Sequence, residues 1–355
     1  GDARDILLVG APTEDVVVNL PWGFGSARVT RVGAVYMYQP SSSGVWTLIR
    51  KVAASDGARG NRYGVAVAMS GDVFLVASDL PDISGAVYVH DLDGGERNKI
   101  TAFDGATMQT FDFFSYPAIS GADLIVGAPG DDGNRGAVYR YRYAAKSLGW
   151  NSVEKITAPD RVADDGFGRA VAISTLTARA DEAIFLVGAP GKGAVYVYRM
   201  RCEPSCVPAT LLQKLTSDAG NRERFGEAVA ISGDLIVVGE PGSGYFDPGR
   251  IHVYRTTDLE QWVPVTNPIA PGLVPSDTGR SDTRFGSGGL LISGDTIFAG
   301  TREIFPGYVY VLDAGRLVTP RPTIAPTTAT PTPAPTATPT TRAPSPVPTP
   351  KPSPV

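Results

Sequence analysis

The chain of 355 residues carries 32 Lys and Arg against 36 Asp and Glu, a formal net charge of −4, so no nucleic-acid partner is expected. No apolar run approaches the roughly 18 residues of a membrane helix, so no membrane insertion is expected within this chain, and two cysteines are too few to staple a domain of its size. Thirteen of the 30 prolines and 11 threonines crowd into residues 319–355, leaving residues 1–318, with 36 acids and 29 bases, to build the core.

In chain order, one unit recurs six times. An apolar strand ending in a small-residue turn appears as ILLVGAP from Ile6, FLVASDL from Phe74, LIVGAP from Leu124, FLVGAP from Phe185, LIVVGEP from Leu235 and TIFAGTR from Thr296. A second strand follows each: GAVYMY from Gly33, GAVYVH from Gly85, GAVYRY from Gly136, GAVYVY from Gly193, GRIHVY from Gly249 and GYVYVL from Gly307. The glycines opening these second strands are 52, 51, 57, 56 and 58 residues apart, which sets the module length and calls for a repeat architecture. A third segment follows, as in TLIRKVAASD from Thr47, VEKITAPD from Val153 and LLQKLTSD from Leu211. A fourth opens on an aromatic, as in YGVAVAMSGD from Tyr63, FGRAVAIS from Phe167, FGEAVAISGD from Phe225 and FGSGGLLISGD from Phe285.

These pieces are short, rich in Val, Ile and Tyr, and bounded by Gly, Asp, Ser or Pro, which is strand chemistry with turns between; no helix is expected. Turns such as Ser70-Gly71-Asp72 and Ser232-Gly233-Asp234 leave room only for tight hairpins. A sheet of four short strands cannot bury both faces alone, so modules must stack, and radial stacking gives an all-β propeller of four-stranded antiparallel blades.

The segments Phe167-Gly168, Phe225-Gly226, Gly127-Ala128-Pro129 and Gly188-Ala189-Pro190, in this order and spacing, resemble the FG-GAP repeat of integrin α-subunit N-terminal propellers and related repeat proteins. The resemblance covers about residues 1–315. It weakens in the second module, which has Ala77-Ser78-Asp79 for Gly-Ala-Pro, and in the third, which opens on Phe111-Asp112 and has Pro117 inside the expected innermost strand. Gly1-Asp2 aligns with the Ser-Gly-Asp turn, so the first module is incomplete. Either six modules close a ring with a defective seam, or a further blade lies upstream; the seven-bladed members of the family imply the second, which is preferred for the native protein.

The resemblance also raises calcium, which family members hold in a lengthened carboxylate-rich turn between the first two strands. Here those turns are mostly three or four residues and cannot supply six oxygens; the longer one at 174–183 offers only Asp181 and Glu182. No cofactor or metal is therefore expected, with calcium as the open alternative. Five acids recur ahead of the aromatic that opens each new module: Asp56, Asp104, Asp160, Asp218 and Asp277. Catalysis needs one unusual site, whereas this position repeats, so a structural task within the inter-module connection is expected. His90 and His252 stand where the fourth module has Tyr198 and Tyr196, and read as packing variants. With no His cluster and no nucleophile elbow, no enzyme activity is expected. Cys202 and Cys206 are expected to form a small disulfide, worth about 2 kcal/mol by loop entropy, which suits an oxidising exterior.

In such blades the second-to-third connections and the inter-blade connections share one face of the disc. Those connections vary: Gly191-Lys192 is minimal, while 12–32 carries Trp22, Phe24, Arg28 and Arg31, the fifth module offers Tyr245, Phe246 and Asp247, and the sixth Arg302, Glu303 and Phe305. Aromatic and Arg side chains on variable loops over a rigid scaffold are the composition of a recognition surface. Residues 319–355 cannot build a core and favour extended polyproline geometry, so they read as a disordered stalk, linker or mucin-like O-glycosylated segment, and whether an anchor follows them is open. The expected function is an extracellular or cell-surface recognition or adhesion module that binds protein or glycan through that face. The alternatives are the propeller of a secreted hydrolase and a structural surface or matrix component.

Overall fold

A computed structural model describes residues 5–19, 26–78, 85–102, 117–144, 149–176, 179–202, 205–217, 224–242, 249–265, 284–287, 289–301 and 309–314. It is an all-β propeller of six antiparallel blades, in which each blade follows its predecessor in sequence. The second blade holds strands Ala66–Ser70, Val73–Ser78, Ala86–Asp91 and Glu96–Ile100. The third holds Ala118–Ser120, Asp123–Ala128, Ala137–Ala144 and Gly149–Ile156. The fourth holds Ala170–Leu176, Arg179–Ala189, Ala194–Arg201 and Thr210–Thr216, and the fifth Val229–Ser232, Leu235–Glu240, Arg250–Arg255 and Val263–Pro264. Among the described residues the first blade shows its second to fourth strands, Leu7–Ala11, Ala34–Pro40 and Trp46–Val52. The sixth shows its first three, Leu290–Ser293, Thr296–Gly300 and Val309–Asp313.

Successive blades share a core at every seam. Phe74 and Val76 face Val35 and Met37 of the first blade, while the intervening Leu75 faces Leu124 and Val126 of the third. The same alternation repeats at Phe185 and Val187 against Ile125, Ile184 and Leu186 against Ile236, and Val237 against Ile297. These strands are continuous apolar runs because both faces are covered, and each fully buried aliphatic or aromatic side chain contributes about 1.5–3 kcal/mol. At the two ends of the series the outer faces stay exposed, at Leu7 and Val9 in the first blade and at Leu291, Val309 and Val311 in the sixth.

The FG and GAP residues are the contact between blades. A Cβ on Gly188 would sit 2.1 Å from the carbonyl oxygen of Gly226, so the second strand of the fourth blade and the opening of the fifth touch backbone to backbone. Gly10 meets Gly64, and Gly239 meets Gly286, in the same way. Single parallel bridges Gly33–Tyr63, Gly136–Phe167 and Gly249–Phe285 add a second tie between the third strand of one blade and the aromatic that opens the next.

The first-to-second turns are two-residue hairpins, pairing Ser70 with Val73, Ser120 with Asp123, Ser232 with Leu235 and Ser293 with Thr296. Two expectations are corrected. Pro117 stands just ahead of the third blade's innermost strand rather than inside it, and that strand is only three residues long, because a proline cannot donate to the ladder. The connection 12–32 is not a plain loop: Val16–Asn19 pairs with Ser26–Val29 in a separate hairpin. The helical segment Asp131–Asn134 is a single turn with left-handed backbone at Asp132 and Gly133.

Candidate functional site

The connections from second to third strand and from blade to blade lie together around a repeated side-chain staple. The Tyr88 hydroxyl donates to Asp56 Oδ1 at 2.7 Å and Lys99 Nζ to Asp56 Oδ2 at 2.5 Å. In the fourth blade Tyr196 donates to Asp160 Oδ1 at 2.6 Å and Lys214 to Asp160 Oδ2 at 2.6 Å. The acid thus belongs to the connection that enters the blade, the Tyr to its Gly-Ala-Val-Tyr strand and the Lys to its fourth strand. Each ammonium also lies over the Tyr ring, 5.2 Å from the centroid in the second blade and 5.4 Å in the fourth.

The staple recurs with other acids. Tyr139 donates to Asp131 Oδ2 at 2.8 Å, and Lys155 lies 2.7 Å from the same oxygen. In the first blade Lys51 reaches Glu14 Oε1 at 2.8 Å and lies over the Tyr36 ring. The electrostatics follow. The Lys99 hydrogen bond, with that of Tyr88, holds the Asp56 carboxyl below the usual range. Burial pushes the Asp160 carboxyl up, but the hydrogen bonds from Lys214 and Tyr196 and the charges of Lys214 and Lys192 outweigh it and bring it down to about 2. Burial and the bond to Asp160 push the Tyr196 hydroxyl well up. Each of these groups holds another's hydrogen bond, so together they brace the connection against two strands of its blade.

The fifth blade departs from the pattern. Glu240 is fully buried, with its Oε2 2.6 Å from His252 Nε2 and 3.6 Å from Arg250 Nε. Burial would raise the Glu240 carboxyl, yet the hydrogen bonds from His252 and Ser217 and the charges of His252 and Arg250 hold it low. His252 also meets Phe225 edge-on at 5.1 Å. The other histidine, His90, stacks on Phe74 at 5.0 Å with its Nε2 2.6 Å from the Tyr63 hydroxyl, and burial lowers its basicity.

Of the recognition residues expected from sequence, Arg31 is exposed, holds a left-handed backbone (φ 55°) and donates its N–H to Asp15 Oδ1 at 2.9 Å, beside the Glu14 staple. Arg28 lies on the Ser26–Val29 strand. Trp22, Phe24, Tyr245, Phe246, Asp247, Arg302 and Phe305 lie outside the described residues, as do the repeat acids Asp104, Asp218 and Asp277. A cluster the sequence reading missed stands on the same face. Asp132 is bracketed by Arg135 at 3.5 Å and Arg161 at 3.4 Å, and Asn134 donates to Asp164 Oδ1 at 3.0 Å, beside the exposed Val162. Cys202 and Cys206 are joined in a disulfide, and Cys202 Sγ lies 2.7 Å from Arg140 Nη2. No group of three or more His, Cys, Asp or Glu side chains converges among the described residues in a way that could hold a metal ion.

Residues 46–90, 150–198 and 210–254 match the family model described as the FG-GAP repeat. No match was found among curated proteins. Solved structures similar to this chain include TolB from Acinetobacter baumannii, at 13% identity and a TM-score of 0.43 over 81% of this chain; the likeness spans 58% of the TolB chain. They also include a prolyl endopeptidase, at 14% identity and 0.40 over 79% of this chain and 38% of that one. The Aleuria aurantia lectin is similar at 11% identity and 0.41, over 88% of this chain and 96% of the lectin. At such identity none of these likenesses assigns an activity.

Proposed function

Because this chain is an FG-GAP β-propeller protein, built as a rigid disc of repeated blades, we propose that it is an extracellular or cell-surface recognition module that binds a protein or glycan through its variable face. One observation carries this reading. The two sides of the disc are built differently: the second, third, fifth and sixth blades carry two-residue first-to-second turns on one side, while the other side carries second-to-third connections that differ in length and chemistry and, in the second and fourth blades, stand over the same Asp–Tyr–Lys brace. A fixed brace under variable loops is how a scaffold presents recognition residues without itself changing. The exposed Arg31, the Arg135–Asp132–Arg161 group and Val162 supply the mixed charged and apolar surface that such a face requires. The Cys202–Cys206 disulfide and the Pro/Thr-rich residues 319–355 support an oxidising exterior and a spacer.

The test is site-specific photocrosslinking of the full chain in the presence of its native cell surface. A benzophenone side chain at Arg31 or Val162 is expected to capture discrete partners, whereas one at Gly233 or Gly294 on the turn side is not. Capture of the same species from both sides would defeat the assignment of the face, and capture from neither would defeat the recognition role.

A further inference from the structure

We infer a second binding site, for an uncharged sugar ring of a glycan, in the cleft between the second and third blades on the turn side of the disc. The cleft has a volume of about 410 Å³ and is lined mainly by apolar atoms, Val73 and Val89 contributing to them. That size falls among small-molecule sites, which span about 300–1,000 Å³.

The comparison with the other seams shows why this cleft is unusual. Asn98, Glu154 and Gln213 hold the same register position, opposite Val89, Arg140 and Val197 of their third strands. Behind Gln213 the seam is plugged: Trp262 of the next blade is almost wholly buried, its backbone N–H donates to Gln213 Oε1 at 2.7 Å, and its backbone carbonyl accepts from Gln213 Nε2 at 3.0 Å. Behind Glu154 the next blade again closes the gap, with Ala209 N–H donating to both carboxylate oxygens at 3.1 Å and the Cys202 sulfur against Arg140. These plugs come from the connections 202–209 and 256–262 between third and fourth strands. In the third blade only four residues separate the strands Ala137–Ala144 and Gly149–Ile156, and among the described residues none takes the place of Trp262 or Ala209 behind Asn98.

The open walls have the chemistry of a sugar site. On one side stand the cross-strand neighbours Tyr143 and Trp150, with ring centroids 5.7 Å apart and planes tilted by 58°, so that a single ring face is the partner for the C–H face of a pyranose. On the other, Asn98 brings an amide that both donates and accepts, as a hydroxyl pair does. Arg97 and the turn residue Asp72 also line the cleft, with Ser70 and the small residues of both turns. Arg97 already faces Asp91 at 3.4 Å, and Asp72 adds a second acid, so the cleft carries no uncompensated positive charge for an anion. That balance favours a neutral hexose over a phosphate, sulfate or acidic sugar.

The site lies away from the proposed recognition face and stands or falls separately from it. The experiment is saturation-transfer NMR on the full chain with the methyl glycosides of glucose, galactose, mannose and fucose. At least one should bind with a dissociation constant on the order of 1 mM, as so few heavy atoms allow, and its ring C–H protons should receive the strongest transfer. Trp150→Ala should weaken that glycoside by about tenfold, and Asn98→Ala, on the opposite wall, by about fivefold, with unchanged far-ultraviolet dichroism. Trp46→Ala, in the first blade, should leave affinity unchanged. Absence of transfer from every glycoside would overturn the inference, as would binding that survives both cleft substitutions at wild-type affinity. The photocrosslinking outcome on the other face bears on neither result.

Discussion

The backbone contact between Gly188 and Gly226 gives the most direct handle on how the blades hold together. In Gly188→Ala the new Cβ would lie 2.1 Å from the Gly226 carbonyl oxygen, and the obstacle is backbone, not a side chain that can swing away. Ordinary contact begins more than an ångström farther out, so the fourth and fifth blades must separate along a seam in which Ile184, Leu186, Ile236 and Val238 are fully buried. Overpacking of this kind costs about 3 kcal/mol. With an unfolding entropy of about 2.1 cal/mol/K per residue over a body of roughly 300 residues, that cost lowers the melting temperature by about 5 °C. Gly289→Ala is the matched control: nothing lies within 4 Å of its Cβ and its backbone is not left-handed, so its effect should stay within about 0.5 kcal/mol of zero. Scanning calorimetry of both variants decides the matter. Equal melting temperatures for Gly188→Ala and the parent would refute the view that these glycines exist for inter-blade approach.

Four further outcomes follow from the braces, the core and the disulfide. Asp131, nearly buried, and Asp160, about half exposed, anchor equivalent staples; Asp131→Ala should cost about 2–3 kcal/mol and Asp160→Ala less than about 1 kcal/mol, read from chemical denaturation midpoints. Burial lowers the basicity of His90, so the unfolded chain binds its proton more readily; the stability His90 contributes is complete above the ordinary imidazole value of 6.5 and is lost as pH falls below it. The double replacement His90→Tyr with Tyr63→Phe copies the Phe185–Tyr198–Phe167 packing of the fourth blade, and should remove the fall in melting temperature between about pH 7 and 5.5; an unchanged slope would acquit His90. The carboxyls of Asp160 and Glu240 act lower down, stabilising above their unfolded values of 3.8 and 4.5 and failing as pH drops through their depressed ones. Reducing the Cys202–Cys206 bridge should cost about 2 kcal/mol, visible as a calorimetric shift of about 3 °C.

The fold was legible because its signals are local and repeated. Strand chemistry, Ser-Gly-Asp turns and the spacing of Gly-Ala-Val-Tyr segments each mark the module without any knowledge of pairing. Asp56 and Asp160 stood out for the same reason, as acids that recur at one place in the module. Their partners were not, because Tyr88 with Lys99 and Tyr196 with Lys214 meet the acid only once strand register is known. A signal was present: Lys51, Lys99 and Lys155 each precede an acid or its counterpart by five residues, and Lys214 by four. The exchange of acid in the third blade, where Asp131 takes the staple, defeats any reading by period alone, since Asp131 comes from a different connection. Trp262 and the cleft beside Asn98 were hidden for a further reason. Whether a seam is plugged depends on the length of the neighbouring blade's outer connection, a relation between segments about 50 residues apart.

The central claim is that no module holds its structure apart from its neighbours. Amide hydrogen exchange followed by mass spectrometry, on the full chain with and without Gly188→Ala, tests it most directly. Val73–Ser78, Asp123–Ala128, Arg179–Ala189 and Leu235–Glu240 should exchange slowest. The substitution should speed exchange in the fourth and fifth blades together, though only the fourth carries it. Acceleration confined to the fourth blade, or one module keeping full protection after its neighbours have exchanged, would contradict the claim.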